Sequence, residues 1–335
     1  MKMFESKEQE DSVMNWLLEE KQPSIRYQAL VNLLDYGEND SEVLRAKRMI
    51  TRRGWAAELL RKQKPGGYWE KSEPGEPTYE TLKEWMNFTY YPKFHSTNWI
   101  ALVLSEMGAT KSHPGIRKVA DVMFRYKLKT GMPINIFNEE VCIVGNMARM
   151  LTRFGYADDW RVRKLYARLL EDQKQDGGWN CYESRRGTLD SWEALAAFAS
   201  LPESMKTQAV KDSIARGVEF YLQRNLFREG KGKYGPWFRF HYPNHYYYDI
   251  LVGLDIVTGF GYAGDRRILP ALEILTRKRR RDGRWNNDRN HPDVYAKYGK
   301  TKAVHTPLVI EREGQPSRWV TLRALNVLKR VNEAS

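Results

Sequence analysis

The chain has few cysteines and no long apolar run. Among its 335 residues only Cys142 and Cys181 are cysteines, and neither belongs to a CxxC pair. This usage is typical of a reducing compartment and disfavours a disulfide-stabilised secreted domain. No run of about 18 apolar residues occurs, which argues against a membrane-spanning helix. The start, MKMFESKEQED, is polar and lacks the apolar core of a signal peptide. We therefore predict a cytoplasmic protein without a transmembrane segment.

Acidic residues are in the minority. Lys and Arg number 55 against 42 Asp and Glu, which gives a formal net charge of +13. Such a charge attracts anionic partners, including anionic membrane surfaces and phosphorylated small molecules. A solvated surface rich in Lys and Arg explains it equally well. No nucleic-acid partner is expected, because no recognised nucleic-acid-binding module is present.

Strand patterns are also missing, and helical patterns of two kinds take their place. One kind is apolar nearly all round, as in WIALVLSEMG, VCIVGNMARML, WEALAAFASL and ILVGLDIVTGFG. The other is amphipathic with a charged face, as in RVRKLYARLLED and RRILPALEILTRK. A helix that is apolar all round is buried, whereas an amphipathic helix lies at the surface. The two kinds alternate, so the pattern predicts an inner and an outer layer of helices.

The alternation repeats with a regular spacing. Gly108 and Gly155, each at the end of an apolar helix, are 47 residues apart, and Pro202 follows after another 47. Repeated helix pairs either stack into an open solenoid or close into a ring. The fully apolar inner set favours closure. We predict an all-α fold, an α/α toroid of two concentric layers over residues 55–335, with an N-terminal helical extension, residues 1–54, packed on it.

Three glycine–tryptophan turns recur along the chain. They span Gln63–Trp69 (QKPGGYW), Gln173–Trp179 (QKQDGGW) and Arg281–Trp285 (RDGRW). Together they resemble the QW motif of the terpenoid cyclase and protein prenyltransferase superfamily, whose repeat is also known as the prenyltransferase and squalene oxidase repeat or squalene cyclase repeat. The resemblance covers roughly residues 55–331. It implies an α/α toroid in which the Gln and Trp side chains tie the end of an outer helix to the next turn.

The resemblance also predicts where a ligand would bind. In such a toroid the N-terminal ends of the inner helices surround one mouth of a central cavity, and ligand chemistry is expected there. The aromatic residues at these ends would bind the ligand and stabilise cationic intermediates through their ring faces; they are Trp99, Trp192, Tyr246, Tyr248 and Trp319. Arg185 and Arg186 lie in the loop where similar prenyltransferases bind diphosphate. Core packing of the rings and a solvated loop are the alternative interpretations.

The catalytic motifs of the superfamily are absent. No DxDD acid motif and no DDxxD magnesium motif occur. Asp190 matches the first zinc ligand of similar prenyltransferases, but Trp192 stands where the ligand cysteine is expected, and no histidine begins the last inner helix. Zinc needs three or four ligands, so we predict no metal site and no cofactor. Cys142 is expected to pack in the core.

Single titratable groups at the predicted mouth remain candidates for acid–base chemistry. A buried carboxylic acid with a raised pKa can protonate an alkene. The candidates for a catalytic role are Asp190, Asp249, His95, His245 and Glu140. Each aspartate is also placed to cap a helix, and a histidine in this position is often structural.

Two hypotheses follow from these residues. The first is a terpenoid cyclase/prenyltransferase-like toroid that binds an apolar or isoprenoid-like ligand, with or without a phosphate group, in a central aromatic cavity. Such a protein would carry out a cyclase, lyase or transferase step without the usual DxDD or zinc site. The alternative is a non-catalytic binding or scaffold toroid. The sequence leaves open whether the protein is an enzyme.

Overall fold

The structure is a computed structural model, and it describes residues 3–70, 75, 96–125, 140–181, 184–230, 234–245, 247–290 and 309–334. Within these ranges the regular structure is helical, with two isolated bridges, Trp179 with Thr188 and Asn286 with Pro316. None of the described helices is both long and apolar enough to cross a membrane. The helices are α1 Lys7–Leu17, α2 Pro23–Asn32, α3 Ser41–Met49, α4 Gly54–Arg61, α5 Thr97–Glu106, α6 Pro114–Arg125, α7 Val141–Leu151, α8 Trp160–Glu171, α9 Glu193–Ser200, α10 Gln208–Gln223, α11 Ile250–Gly259, α12 Leu269–Arg277 and α13 Arg318–Glu333.

The helices form the predicted α/α toroid. The inner helices are α5, α7, α9, α11 and α13, and every residue of α7 is buried. Around the ring α7 packs between α5 and α9, α9 contacts α11, and α11 packs against α13. The outer helices α6, α8, α10 and α12 bury one face each. The prediction of two layers is therefore confirmed, because apolar and amphipathic helices alternate as their sequences require.

Short polar side chains set where many of these helices begin. Each accepts a hydrogen bond from a backbone N–H of the first turn, which would otherwise lack a partner. Residues in this role are Ser6, Asp40, Asp159, Thr207, Asp249 and Ser317.

The N-terminal helices connect the first and last helix pairs. Helix α2 contacts both α13 and α4, and the Gln28 side chain donates to the Glu106 carbonyl at the end of α5 (2.8 Å). Gln9 of α1 donates to the Arg281 carbonyl (3.0 Å), and Arg318 pairs with Glu19 (2.9 Å). The N-terminal segment thus contacts the end of α5, the turn after α12 and the start of α13. The division at residue 54 stays a prediction about folding units.

The glycine–tryptophan turns tie adjacent outer helices together. The Gln173 amide donates to the carbonyls of Gly177 and Ser213, both at 2.8 Å, and the Trp179 indole donates to the Leu169 carbonyl at 2.8 Å. Gly177 has φ +86°, and a Cβ there would lie 2.4 Å from the Arg216 carbonyl oxygen of α10. Only glycine fits this turn, because the conformation is left-handed and the next helix is in contact.

The other two turns repeat these contacts. Gln63 donates to the carbonyls of Gly67 and Gly115 (3.2 and 2.9 Å), and Trp69 and Trp285 bind the carbonyls ten residues before them. In the third turn, Arg279 takes the position of the glutamine, six residues before the tryptophan, and donates to the Met3 carbonyl (3.0 Å). These glutamine and tryptophan side chains therefore have the structural contacts expected from the sequence.

Alanine at Gly177 is expected to destabilise the fold more than alanine at Gly261. Both glycines have similar positive φ angles, +86° and +92°, but no atom of the described residues lies within 4 Å of a Cβ at Gly261. Gly261→Ala should cost about 1–2 kcal/mol of left-handed strain, and Gly177→Ala about 1–3 kcal/mol more for the clash. Urea denaturation of both variants measures the difference. Equal losses would contradict the proposed close contact.

Candidate functional site: a central cavity with a cationic end

The residues predicted for the mouth divide between core and surface. Trp99, Trp192, Tyr248 and Trp319 are buried, whereas Arg185 and Arg186 are exposed on their loop. His95 and Tyr246 lie outside the described residues. The predicted residues that the structure describes therefore do not all line one ligand site.

Asp249 is used as a helix cap. It is buried at the start of α11, and its carboxylate accepts from the Val252 backbone N–H (2.9 Å) and the Asn244 side chain (3.0 Å). The His241 ring nitrogen Nδ1 lies 2.9 Å from the same carboxylate. These contacts favour the structural interpretation of Asp249 over the catalytic one.

Asp190 is an exposed residue that lines a separate side pocket. Its carboxylate accepts from the Trp237 indole (2.7 Å), and the Trp237 ring meets that of Tyr248 edge-on at 5.8 Å. The pocket has a volume of about 260 Å³ and also includes Arg239 and His241. Asp190 does not cap α9, which begins at Glu193.

His245 lies in the aromatic core. Its ring is 5.4 Å from that of Trp99, and its backbone carbonyl accepts from the Asn146 amide (2.5 Å). Burial, together with the nearby charge of Arg149, holds the pKa of His245 well below its ordinary value. The imidazole is therefore neutral at physiological pH.

Glu140 lies beside two thiols. Its carboxylate is 3.7 Å from Sγ of Cys142, and one donor atom from each of Glu140, Cys142 and Cys181 lies within 4.8 Å of the others. The cluster is not apparent from the sequence because Cys181 is far along the chain from the other two residues. It contrasts with the prediction that the chain offers no set of metal ligands.

A cavity of about 650 Å³, here called the central cavity, is lined by residues of all five inner helices. This volume is within the usual range for small-molecule sites. Glu106, Arg149 and Gly259 line it near the C-terminal ends of α5, α7 and α11, and α13 lines it along most of its length. Helix α2 contributes Tyr27 and its neighbours on the remaining side. The cavity therefore opens at the end of the ring opposite the predicted mouth.

The lining of the cavity is cationic, and Arg149 lies deep in it, against Trp192. Among the described residues, six cationic side chains line the cavity against three carboxylates: Lys47, Arg149, Arg153, Lys206, Arg323 and Arg330 against Glu38, Glu106 and Asp255. Arg330 pairs with Asp255 at 2.8 Å, and Arg323 approaches the same carboxylate at 3.5 Å. Two guanidinium groups thus share one acid, which leaves an excess of positive charge.

Arg149 is the buried member of this group. Its guanidinium binds the Glu106 carboxylate (2.9 Å), the Asn146 side chain (2.8 Å) and the Asn244 carbonyl (3.0 Å). It also lies over the Trp192 ring, 4.7 Å from the ring centre. Burial lowers the pKa of Arg149 to about 10, so the group still carries its charge at neutral pH.

The inner end of the cavity is aromatic. The rings of Tyr242 and Trp319 stack at 4.6 Å with an interplanar angle of 14°, and Trp192 lies nearby on the same wall. The indole N–H groups of Trp192 and Trp319 are buried and have no hydrogen-bond partner among the described residues. A buried donor without a partner is costly, which favours an acceptor on a bound molecule.

Two of the predicted ligand-binding residues, Trp192 and Trp319, therefore line the observed cavity. The basic residues that line it are not the predicted ones. Arg185 and Arg186 were expected to bind phosphate, but the cations that line the cavity include Arg149, Arg323 and Arg330. The sequence contained one indication of the difference. Arg149 and Asn146 are polar residues inside the otherwise apolar VCIVGNMARML helix.

Comparison with known proteins finds similar solved structures but does not assign the chain to a family. No family model and no curated protein matches the chain. Among solved structures, a protein from Actinoplanes is 16% identical, with 92% of this chain and 90% of that one covered and a TM-score of 0.44. The type II terpene cyclase MstE from Scytonema is 15% identical, over 83% and 95%, with a TM-score of 0.36. A variant of the same cyclase in complex with merosterolic acid A is 12% identical, over 97% and 99%, with a TM-score of 0.37.

Proposed function

We propose that the protein binds an isoprenoid-like amphiphile with an anionic head, a phosphate or diphosphate ester, in the central cavity. The observation that carries the proposal is the pairing of a cationic end with an aromatic inner end in one cavity of about 650 Å³. An anionic head would meet Arg323 and Arg330, and an apolar chain would extend toward Trp192 and Trp319.

The walls between the two ends suit an apolar chain. Val252, Ile256 and Leu322 line the cavity along α11 and α13. Burying an apolar chain against such walls stabilises the complex by about 25 cal/mol per Å² of surface removed from water. Phosphate oxygens accept several charge-assisted hydrogen bonds from guanidinium groups, which a neutral alcohol head cannot replace.

The proposal concerns binding, and the catalytic step stays a hypothesis. The Asp249 carboxylate accepts three hydrogen bonds at the start of α11, which favours the alternative of a non-catalytic binding toroid. Incubation of the protein with farnesyl diphosphate and gas chromatography of the products separates the two. Cyclised or dephosphorylated product would favour an enzyme, and unchanged ligand a binding protein.

Alanine at Arg323 or Arg330 is expected to weaken binding of farnesyl diphosphate by about tenfold or more, since a hydrogen bond to a charged group is worth about 1.5–3 kcal/mol. Isothermal titration calorimetry of farnesyl diphosphate measures the effect. Neutral farnesol should bind the original protein more weakly than the diphosphate does. Its affinity should change little in either variant.

The Arg185→Ala/Arg186→Ala variant is the matched control. Both residues are exposed on a loop outside the cavity, so the affinity for farnesyl diphosphate should change by less than about twofold. The reverse result, with binding lost in this variant and kept in Arg323→Ala, would place the anion at the opposite end of the ring. No binding of either farnesyl compound would overturn the proposal.

A further inference from the structure

A second cluster of polar groups lies outside the cavity, at the start of α7. Glu140 precedes the helix, Cys142 is its second residue, and Cys181 comes from the loop before α9. The Glu140 side chain makes no capping hydrogen bond to its helix. Its carboxylate lies toward the thiols, 3.7 Å from Sγ of Cys142. Two thiols and a carboxylate thus converge from segments that are distant in sequence.

The spacing of these donors suits a tetrahedral cation. With bonds of about 2.3 Å to sulfur and about 2.0 Å to oxygen, neighbouring ligands of zinc lie about 3.5–3.8 Å apart. The Glu140–Cys142 distance already has this value. All three donor atoms are within 4.8 Å of one another, so small rotamer changes close the remaining gap. Thiolate ligands select zinc and similar soft cations over magnesium or calcium, which bind oxygen.

A buried carboxyl group beside the cluster gives an independent indication of a ligand. Glu193 begins α9 with none of its surface exposed, and neither carboxyl oxygen has a hydrogen-bond partner among the described residues. Its backbone packs against Gly145 of α7, where an added Cβ would lie 2.6 Å from the Glu193 carbonyl carbon. Burial of such a group is costly, and the charge of nearby Arg149 offsets part of this cost, so a second cation beside the thiols would stabilise the carboxylate further.

We propose that Glu140, Cys142 and Cys181 bind a zinc-like divalent cation, with Glu193 supplying further negative charge beside it. Three protein ligands leave one tetrahedral position for water or a substrate group. None of these four residues lines the central cavity, so the cation site stands or falls independently of the proposed amphiphile.

The cation site is tested on the full chain. Purified from cells grown with zinc, the protein should contain about one zinc per chain by elemental analysis. After chelation, added cobalt(II) should bind with equal stoichiometry and show sulfur-to-cobalt charge-transfer absorption. Cys142→Ser, Cys181→Ser and Glu140→Gln should each weaken cobalt binding by more than about tenfold, because each removes a direct ligand.

Asp190→Asn is the matched control, because Asp190 also precedes α9 but binds the Trp237 indole. Its affinity for cobalt should stay within about twofold of the original. If a cysteine variant fails to fold, the cobalt titration of the unmodified chain and the Glu140→Gln variant still decide. Absence of cobalt binding by the folded, reduced chain would overturn the proposal. So would a disulfide between Cys142 and Cys181 in the protein isolated without reductant.

Discussion

Replacement of Arg149 by methionine is expected to lower the free energy of unfolding by about 3–5 kcal/mol. The Arg149 and Glu106 side chains are only 3% and 7% exposed and pair at 2.9 Å. Methionine removes the guanidinium and leaves the Glu106 carboxylate in the core with Arg153 alone, at 3.8 Å. An uncompensated charge in the interior is strongly destabilising. Urea denaturation at pH 7 measures the loss.

A double variant tests the coupling between Arg149 and Glu106, and an exposed ion pair serves as the control. Arg149→Met combined with Glu106→Gln should be more stable than the sum of the single losses predicts, by about 0.5–3 kcal/mol. Arg45→Met is the control, because Arg45 pairs with Glu20 at nearly the same distance, 2.8 Å, with both side chains more than half exposed. It should cost less than about 1 kcal/mol. Additive losses in the buried pair would contradict the proposed coupling.

The layers of the toroid could be predicted from the sequence because they depend on local patterns. An inner helix such as α7 is apolar on all faces, and an outer helix such as α8 carries charge on one face. The turns at Trp69, Trp179 and Trp285 were equally visible, since each depends on a glycine and a tryptophan close together in the chain. These features require no knowledge of which helices are neighbours.

The cavity could not be predicted in the same way because its charges come from separate helices. Asp255 of α11 pairs with Arg323 and Arg330 of α13, and no spacing in the sequence indicates this contact. The resemblance places the ligand at the N-terminal ends of the inner helices, where aromatic residues are concentrated. Of these residues, Trp99 packs against His245 in the core, whereas Trp192 and Trp319 line the cavity.

The cluster of Glu140, Cys142 and Cys181 could not be predicted for a related reason. Cys142 is buried in the core as the sequence predicts, but no spacing in the sequence indicates that Cys181 lies beside it. In the fold the loop that carries Cys181 returns to the start of α7. A donor set assembled from two distant segments appears only once the ring is closed, so sequence spacing is a weak guide to metal sites in a toroid.

Two buried glutamates predict an unusual pH dependence of stability. Glu70 accepts from the Thr97 backbone N–H at the start of α5 (2.7 Å), and Glu311 accepts from the Arg318 N–H at the start of α13 (2.6 Å). Burial raises the pKa of each carboxyl group to about 7, although the hydrogen bonds oppose the shift. In the unfolded chain each pKa returns to the ordinary value of 4.5.

The contribution of these two glutamates to stability is therefore expected to fall as the pH rises from about 4.5 to about 7. In this interval the folded state keeps protons that the unfolded state has released, so raising the pH favours unfolding. A difference of about 2.5 pKa units corresponds to about 3 kcal/mol for each glutamate. Urea denaturation between pH 4 and 8 measures the slope. Glu70→Gln and Glu311→Gln should each remove the contribution of the replaced carboxyl group, because glutamine stays neutral.

Glu58→Gln is the control for this pH series, because Glu58 is exposed on α4 and its replacement should leave the slope unchanged. Glutamine keeps one acceptor oxygen, so each core variant retains a hydrogen bond to the helix start that its glutamate contacts. If Glu70→Gln and Glu311→Gln show the same slope as the original protein, the two carboxyl groups ionise normally in the fold. The difference in slope between each variant and the original protein is the decisive quantity, because His245, whose pKa is lowered in the fold, contributes to the total slope with the opposite sign.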